Sequence, residues 1–166
     1  MRAAAAVLLV VALVAVAGED VQVTPRAFAT WQVFEADKLA AIWLIRKYIN
    51  PVAAILVCPR GEAVDTAVMF DTPESQFKRT FNKTTFQALR EHFRVKDPKL
   101  DNISRIVHDI EINTWGQKAY AATPAVNRRV LEIIEHAGSD TASMRMGCQL
   151  FDSLYDALPD TLAPGR

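Results

Sequence analysis

The chain has 166 residues, 51% of them apolar, and its 19 basic and 19 acidic side chains cancel to no net charge. That length suits one domain with a proper core. The balanced charge excludes a surface built mainly for nucleic acid, so no nucleic-acid partner is expected.

Met1-Arg2 gives a short positive start, Ala3 to Val16 is an unbroken apolar run, and Ala15-Val16-Ala17 has the small-x-small form of a secretory cleavage site. The run is shorter than the roughly 20 residues a spanning helix needs. Residues 1–17 are therefore expected to be a cleaved signal peptide that leaves no stable membrane anchor. The mature chain would cross the inner membrane and reside in the periplasm. Residues 18–29 read as a flexible leader, 30–158 as a single domain and 159–166 as a C-terminal tail.

Thr30 to Phe34 has the aromatic and β-branched character of a strand. Asp37 to Tyr48 reads as a helix whose apolar residues, Leu39, Ile42, Trp43 and Ile45 among them, cover more than half its circumference, as in a helix buried against a sheet. Asn50-Pro51 ends it, with Asn in the left-handed cap that Asn tolerates. Ala54–Cys58 reads as a second strand and Asp65–Phe70 as a third, closed by the turn-forming Asp71-Thr72-Pro73. First strand, helix and second strand fit within the ~30 residues of a βαβ unit.

Beyond Pro73 the patterning turns helical. Thr84-Thr85-Phe86-Gln87 is a capping-box pattern that opens a helix to about Phe93. Asp97-Pro98 opens the next with an N-cap acid and Pro at N1. Thr123-Pro124 repeats the device and Gly138 closes that helix. The last helix runs from about Thr141 to Leu158. The class is α+β: a small, mainly N-terminal sheet with a βαβ unit, packed against a helical bundle.

The richest polar stretch is His108-Asp109-Ile110-Glu111-Ile112-Asn113-Thr114-Trp115. With Leu100, Ile103, Val107 and Ile110 as the buried stripe, Glu111 falls about 60° from its centre and His108 about 120° on the same side. Asp109 points to the other flank. A His and a carboxylate at i,i+3 recur in helical metal sites and also as a plain hydrogen-bonded couple, so three roles stay open: structure, ligand binding, and metal or acid–base chemistry. A metal centre would need a further ligand such as Asp71, Glu35 or Asp37. No cofactor is predicted, although a divalent metal on His108, Glu111 and Asp71 is possible.

A second constellation is cationic. Lys38 lies in the first turn of the buried helix, Arg46 and Lys47 follow two turns on, and Lys78, Arg79 and Lys83 crowd the loop before the capped helix. Such a loop facing a helix N-terminus suits a small oxyanion; a solvated surface balanced by Glu35, Asp37 and Glu74 is the alternative. Six glycines leave no phosphate cradle or nucleophile elbow. Cys58 and Cys148 sit in apolar segments where a thiol behaves as a small hydrophobe. Export would permit a bridge, but free thiols are favoured over a disulfide.

Asp37-Lys38-Leu39-Ala40-Ala41-Ile42-Trp43-Leu44-Ile45-Arg46, then Ile49-Asn50-Pro51, Phe70-Asp71, Thr84-Thr85-Phe86, Asp97-Pro98-Lys99-Leu100 and Ile106-Val107-His108-Asp109 form an ordered string. This string resembles the chromate-resistance protein family, in particular the ChrB-type C-terminal domain found alone in some exported proteins. The likeness covers roughly Trp31 to Tyr155. It implies a link to chromate resistance, and to chromate-responsive regulation where the domain is fused to a DNA-binding region, a region not expected here. Regulatory members resemble Ala-Cys-Pro-Trp where this chain reads Ala40-Ala41-Ile42-Trp43. They also carry His and Cys in the loop where it reads Arg79-Thr80-Phe81-Asn82-Lys83. Thiol reduction or metal ligation through those positions is therefore not implied.

The expected function is an exported, non-catalytic domain that binds or senses a small oxyanion such as chromate. Its ligand-binding set is Lys38, Trp43, Arg46, Asp71, Arg79, His108, Asp109 and Glu111. The alternatives are a metal-dependent hydrolase or reductase on His108, Glu111 and Asp71, and a purely structural interaction domain.

Overall fold

The computed structural model describes residues 24–160. The expected signal peptide, the first half of the leader and all but the start of the tail lie outside the described residues. Among the described residues, no helix is long and apolar enough to cross a membrane.

Three parallel strands make the sheet: β1 (Ala27–Trp31), β2 (Ala54–Cys58) and β3 (Val68–Met69), in the order β2-β1-β3. Ala27 pairs with Ala54 and Trp31 with Cys58 on one side, and Phe28 pairs with Val68 on the other. β1 is central, which suits its buried Phe28, Ala29 and Thr30. The class is α+β, and β1, the following helix and β2 form a parallel βαβ unit.

Two strands differ from the sequence reading. β1 begins at Ala27, inside the segment read as leader, and ends at Trp31. Gln32 and Val33 turn out of the sheet, with Val33 at φ 78°, a strained conformation for a β-branched residue. The Lys38 ammonium holds that turn by donating to the Trp31 and Val33 carbonyls, each at 2.7 Å. β3 is also short, because Asp65 and Thr66 belong to a turn and only Val68 and Met69 reach the ladder.

Helix α1 (Ala36–Leu44) is buried at all nine positions, which explains the wide apolar arc. It packs against α2 (Thr85–His92), α3 (Pro98–Glu111) and α5 (Asp140–Ala157). Its continuation is a π-helical turn, Ile45–Ile49, closed by Asn50 N–H donating to the Ile45 carbonyl at 2.7 Å. Asn50 is extended (φ −152°), not left-handed. It ends the helix by side-chain bonds instead, donating to the Pro25 carbonyl and accepting from Val52 N–H.

The caps of α2 and α3 follow the sequence: Thr84 and Gln87 form both halves of a capping box, and the Asp97 carboxylate accepts from Lys99 N–H. Helix α4 (Thr123–His136) departs from it, since Ala122 is the N-cap and Thr123 already lies in the helix. The Thr123 hydroxyl donates to Asp109 at 2.7 Å, so a long-range partner replaces the local cap. Gly138 closes α4 at φ 72°, a conformation glycine adopts without strain. Cys58 and Cys148 are both free.

α5 lies close against α1 because Gly147 has no side chain. A methyl group there would stand 2.7 Å from Leu39 Cδ2 and 3.1 Å from Leu39 Cβ. Cδ2 can rotate away, but Cβ is fixed by the α1 backbone. The ~1 kcal/mol helical gain from replacing Gly is therefore outweighed by overpacking, typically ~1–3 kcal/mol. Gly147→Ala is expected to lower stability by about 1 kcal/mol in urea denaturation. A raised midpoint would show that Leu39 yields freely.

Candidate functional site

The carboxyl ends of β1 and β3 point at the N-termini of α1 and α2, the end of an open parallel sheet where ligands usually bind. Two adjoining hollows open there. One, about 400 Å³, is lined by Glu35, Asp71, Thr72, Pro73, Lys78 and Arg79. The other, about 310 Å³, shares Glu35, Asp71 and Pro73 and adds Lys38, Arg60 and the Trp31–Val33 turn. A larger hollow of about 520 Å³ beside Arg90, Arg94 and Lys96 shares no lining residue with these. Its Arg90 is committed to Asp101 and two backbone carbonyls.

The floor of the cleft is a relay of helix caps. Glu111, in the last turn of α3, accepts from Asp37 N–H at 3.2 Å and so satisfies one of the free donors of α1. Asp37, fully buried, accepts from Thr85 N–H at 2.7 Å and Phe86 N–H at 2.9 Å and caps α2. Asp71, at φ 52°, accepts from the Thr85 hydroxyl at 2.8 Å and lies 3.6 Å from the Lys38 ammonium.

Above this floor, Arg79 bridges two carboxylates. It pairs with Glu111, whose side chain is 11% exposed, and with Glu35 at 2.9 Å, 35% exposed. Burial, helped by the Glu111 and Asp71 carboxylates, raises Glu35 above the usual carboxyl range against the opposing pull of Arg79. Burial alone would lower Arg79, but Glu35 and Glu111 outweigh it and hold its proton more firmly. Burial, then repulsion from Asp71, pushes Asp37 up to about 8, and its two amide donors offset this only in part.

Asp109 aside, the structure divides the sequence-predicted residues into three groups. Lys38, Asp71, Arg79 and Glu111 meet at the cleft. Trp43 and Arg46 lie elsewhere, lining a hollow between the π turn and α5. His108 is half-buried on α3, lines neither cleft hollow and, among the described residues, forms no hydrogen bond or ion pair with Glu111.

Asp109 is the plainest correction. It is buried rather than turned outward. It accepts from Asn113, Ala119 N–H, Tyr120 N–H and the Thr123 hydroxyl, tying down the loop between α3 and α4. Burial works to raise it, yet these four bonds win and hold it below the usual range. The segment after Glu111 is loop, not helix, and Trp115 is 99% exposed. Nor do His108, Glu111 and Asp71 assemble as a ligand set: among the described residues, no three His, Cys, Asp or Glu side chains are placed to hold a metal ion.

Sequence reasoning named Glu35 and Asp37 only as possible extra ligands or counter-charges, and it missed Thr85. For Asp37 a signal existed: an acid inside a helix apolar on nearly every face has no route to solvent and must be paired.

A family model described as ChrB, C-terminal domain, matches residues 28–158. The Protein ChrB of Cupriavidus metallidurans is 26% identical over 149 residues, covering 82% of this chain and 42% of that protein. The chain thus spans less than half the length of this relative. No solved structure gives a significant match.

The buried Asp37 carboxyl has a pH consequence. A raised carboxyl means that the folded state holds the proton more tightly than the unfolded chain, whose value is near 3.8. Its stabilisation is complete below that value and is lost as pH rises through about 8. Wild-type stability is expected to fall across this window. Asp37→Asn, neutral throughout, should flatten the slope while lowering stability by about 1–3 kcal/mol through one orphaned amide. Denaturation midpoints against pH check both, and an unaltered slope in the variant would assign the window to other groups.

Proposed function

The chain belongs to the ChrB C-terminal domain family, a chromate-resistance family, and on that premise we propose that it is an exported, periplasmic domain that binds a small oxyanion such as chromate. The binding place in this reading is the cleft outside the carboxyl ends of β1 and β3.

The observation that carries the reading is the position of Arg79. Its guanidinium stands at the mouth of the 400 Å³ hollow with one edge held by the nearly buried Glu111 and the other by the more exposed Glu35. The exposed pair contributes at most about 1 kcal/mol. A tetrahedral dianion can therefore take the place of Glu35 and accept two parallel hydrogen bonds from the freed edge. Glu111 stays and keeps the guanidinium aimed. Lys78 and Arg60, on the rims of the two hollows, add positive field.

Lys38 has a supporting part, because its ammonium is spent on two carbonyls and Asp71. Asp109 supports the α3–α4 loop. The hydrolase or reductase alternative fits less well, since Glu111 and Asp71 are already engaged by Arg79, the Asp37 amide, Thr85 and Lys38.

Protonating Glu35 releases the same edge of Arg79, so affinity is expected to rise as pH falls into the raised titration range of Glu35. Calorimetric titration with chromate and sulfate tests this. Sulfate keeps its charge over that range and separates Glu35 from chromate's own protonation. Glu35→Gln should bind about fivefold more tightly at neutral pH, the worth of a ~1 kcal/mol pair. Arg79→Gln should lose the pH-dependent binding. Absence of heat for both anions at millimolar concentration, in wild type and Glu35→Gln alike, would leave a purely structural domain.

A further inference from the structure

The hollow between the π turn and α5 differs in kind from the cleft. It measures about 360 Å³ and is lined by Trp43, Arg46, Lys47, Arg145, Cys148 and Asp152, with Gln149 at its edge. Three cations face one carboxylate, and that carboxylate is already engaged. Asp152 accepts from Lys47 at 2.6 Å and from the Trp43 indole N–H at 2.9 Å.

Lys47 is further held over the rings of Trp43 and Tyr155, 5.3 and 4.8 Å from their centroids. Among the described residues, neither Arg46 nor Arg145 has a carboxylate partner, whereas Arg79, Arg90 and Arg129 each do. Arg46 rests against the half-buried Cys148 thiol. Burial raises that thiol despite the neighbouring guanidinium, so it stays neutral and adds no negative charge to the hollow.

We propose that this hollow is a second anion site, formed by Arg46 and Arg145 with Lys47 at its edge, and that its ligand is a phosphoryl group, either free phosphate or the head of a small phosphomonoester. Two guanidinium forks match the bidentate geometry of a phosphate dianion. Trp43 on α1 with Arg46 and Lys47 on the π turn form one wall of the site, and Arg145, Cys148 and Asp152 on α5 form the other. The buried Trp43 backs the hollow, with its indole N–H donated to Asp152. No covalent step is involved, and Cys148 serves as a reporter. The site is independent of the oxyanion reading of the Arg79 cleft.

The test is alkylation of the full chain with iodoacetamide, followed at Cys148 by peptide mass, with and without millimolar inorganic phosphate or glycerol 3-phosphate at constant ionic strength. Phosphate is expected to slow Cys148 alkylation severalfold in wild type and equally in Arg79→Gln, and the combined Arg46→Gln, Arg145→Gln variant should lose that protection. Stronger protection by the ester assigns the site to a small organic phosphate, and equal protection assigns it to the free ion. Unprotected Cys148 in wild type with both compounds, or protection that persists in a folded double variant, overturns the proposal.

Discussion

One buried carboxylate holds the functional end of this molecule together. Asp37 sits in the first turn of a helix with no solvated face, and its two oxygens take the leading amides of α2. Its own amide is taken by Glu111 at the far end of α3. Three helices are thus joined at one point: Glu111 of α3 takes a free amide of α1, and Asp37 of α1 takes two free amides of α2. The arrangement uses buried charge, which is unfavourable unless paired. Asp37 accordingly tends toward its neutral form, while Glu111, with Arg79 beside it, is held as an ion pair.

This relay explains why the cleft is charged yet mostly committed to its own partners. Glu111 must reach the N-terminus of α1, so it cannot serve a ligand freely. Lys38 must close the strained turn at Val33, so its ammonium is not available either. The groups left to respond are the partly exposed ones, Arg79 and Glu35, with Lys78 and Arg60 on the rims. A dense cluster of ionisable residues is therefore mostly scaffold, with a small responsive edge.

Much of the fold was legible because its signals are local. The capping box at Thr84, the Asp97-Pro98 start and the wide apolar arc after Asp37 each act within a few residues, and each appears in the structure. At the helix ends the failures share one cause: a distant partner replaced the local rule. Asn50 ends α1 through Pro25 rather than through a left-handed cap, and Thr123 turns to Asp109 instead of capping α4. Helical geometry placed Glu111 correctly near the buried stripe. It put Asp109 on the outer flank, where the returning 112–122 loop, invisible to periodicity, buries it. Meeting points were harder still: Lys38 and Arg46 lie on one run of helix, yet they line different hollows.

That divergence bears on how a cation cluster should be read. Counting charges ranks the cleft above the hollow at α5, since it holds more ionisable side chains. Counting partners reverses the order. Arg79 enters any binding event with two carboxylates attached and must release one, whereas Arg46 and Arg145 have none to release. A cation already paired gives selectivity and a dependence on the state of its partner, because the ligand competes with a carboxylate. An unpaired one gives affinity for whichever anion fits the space. On the two proposals, the chain would recognise anions in two ways, through a paired guanidinium in the cleft and through unpaired ones beside α5.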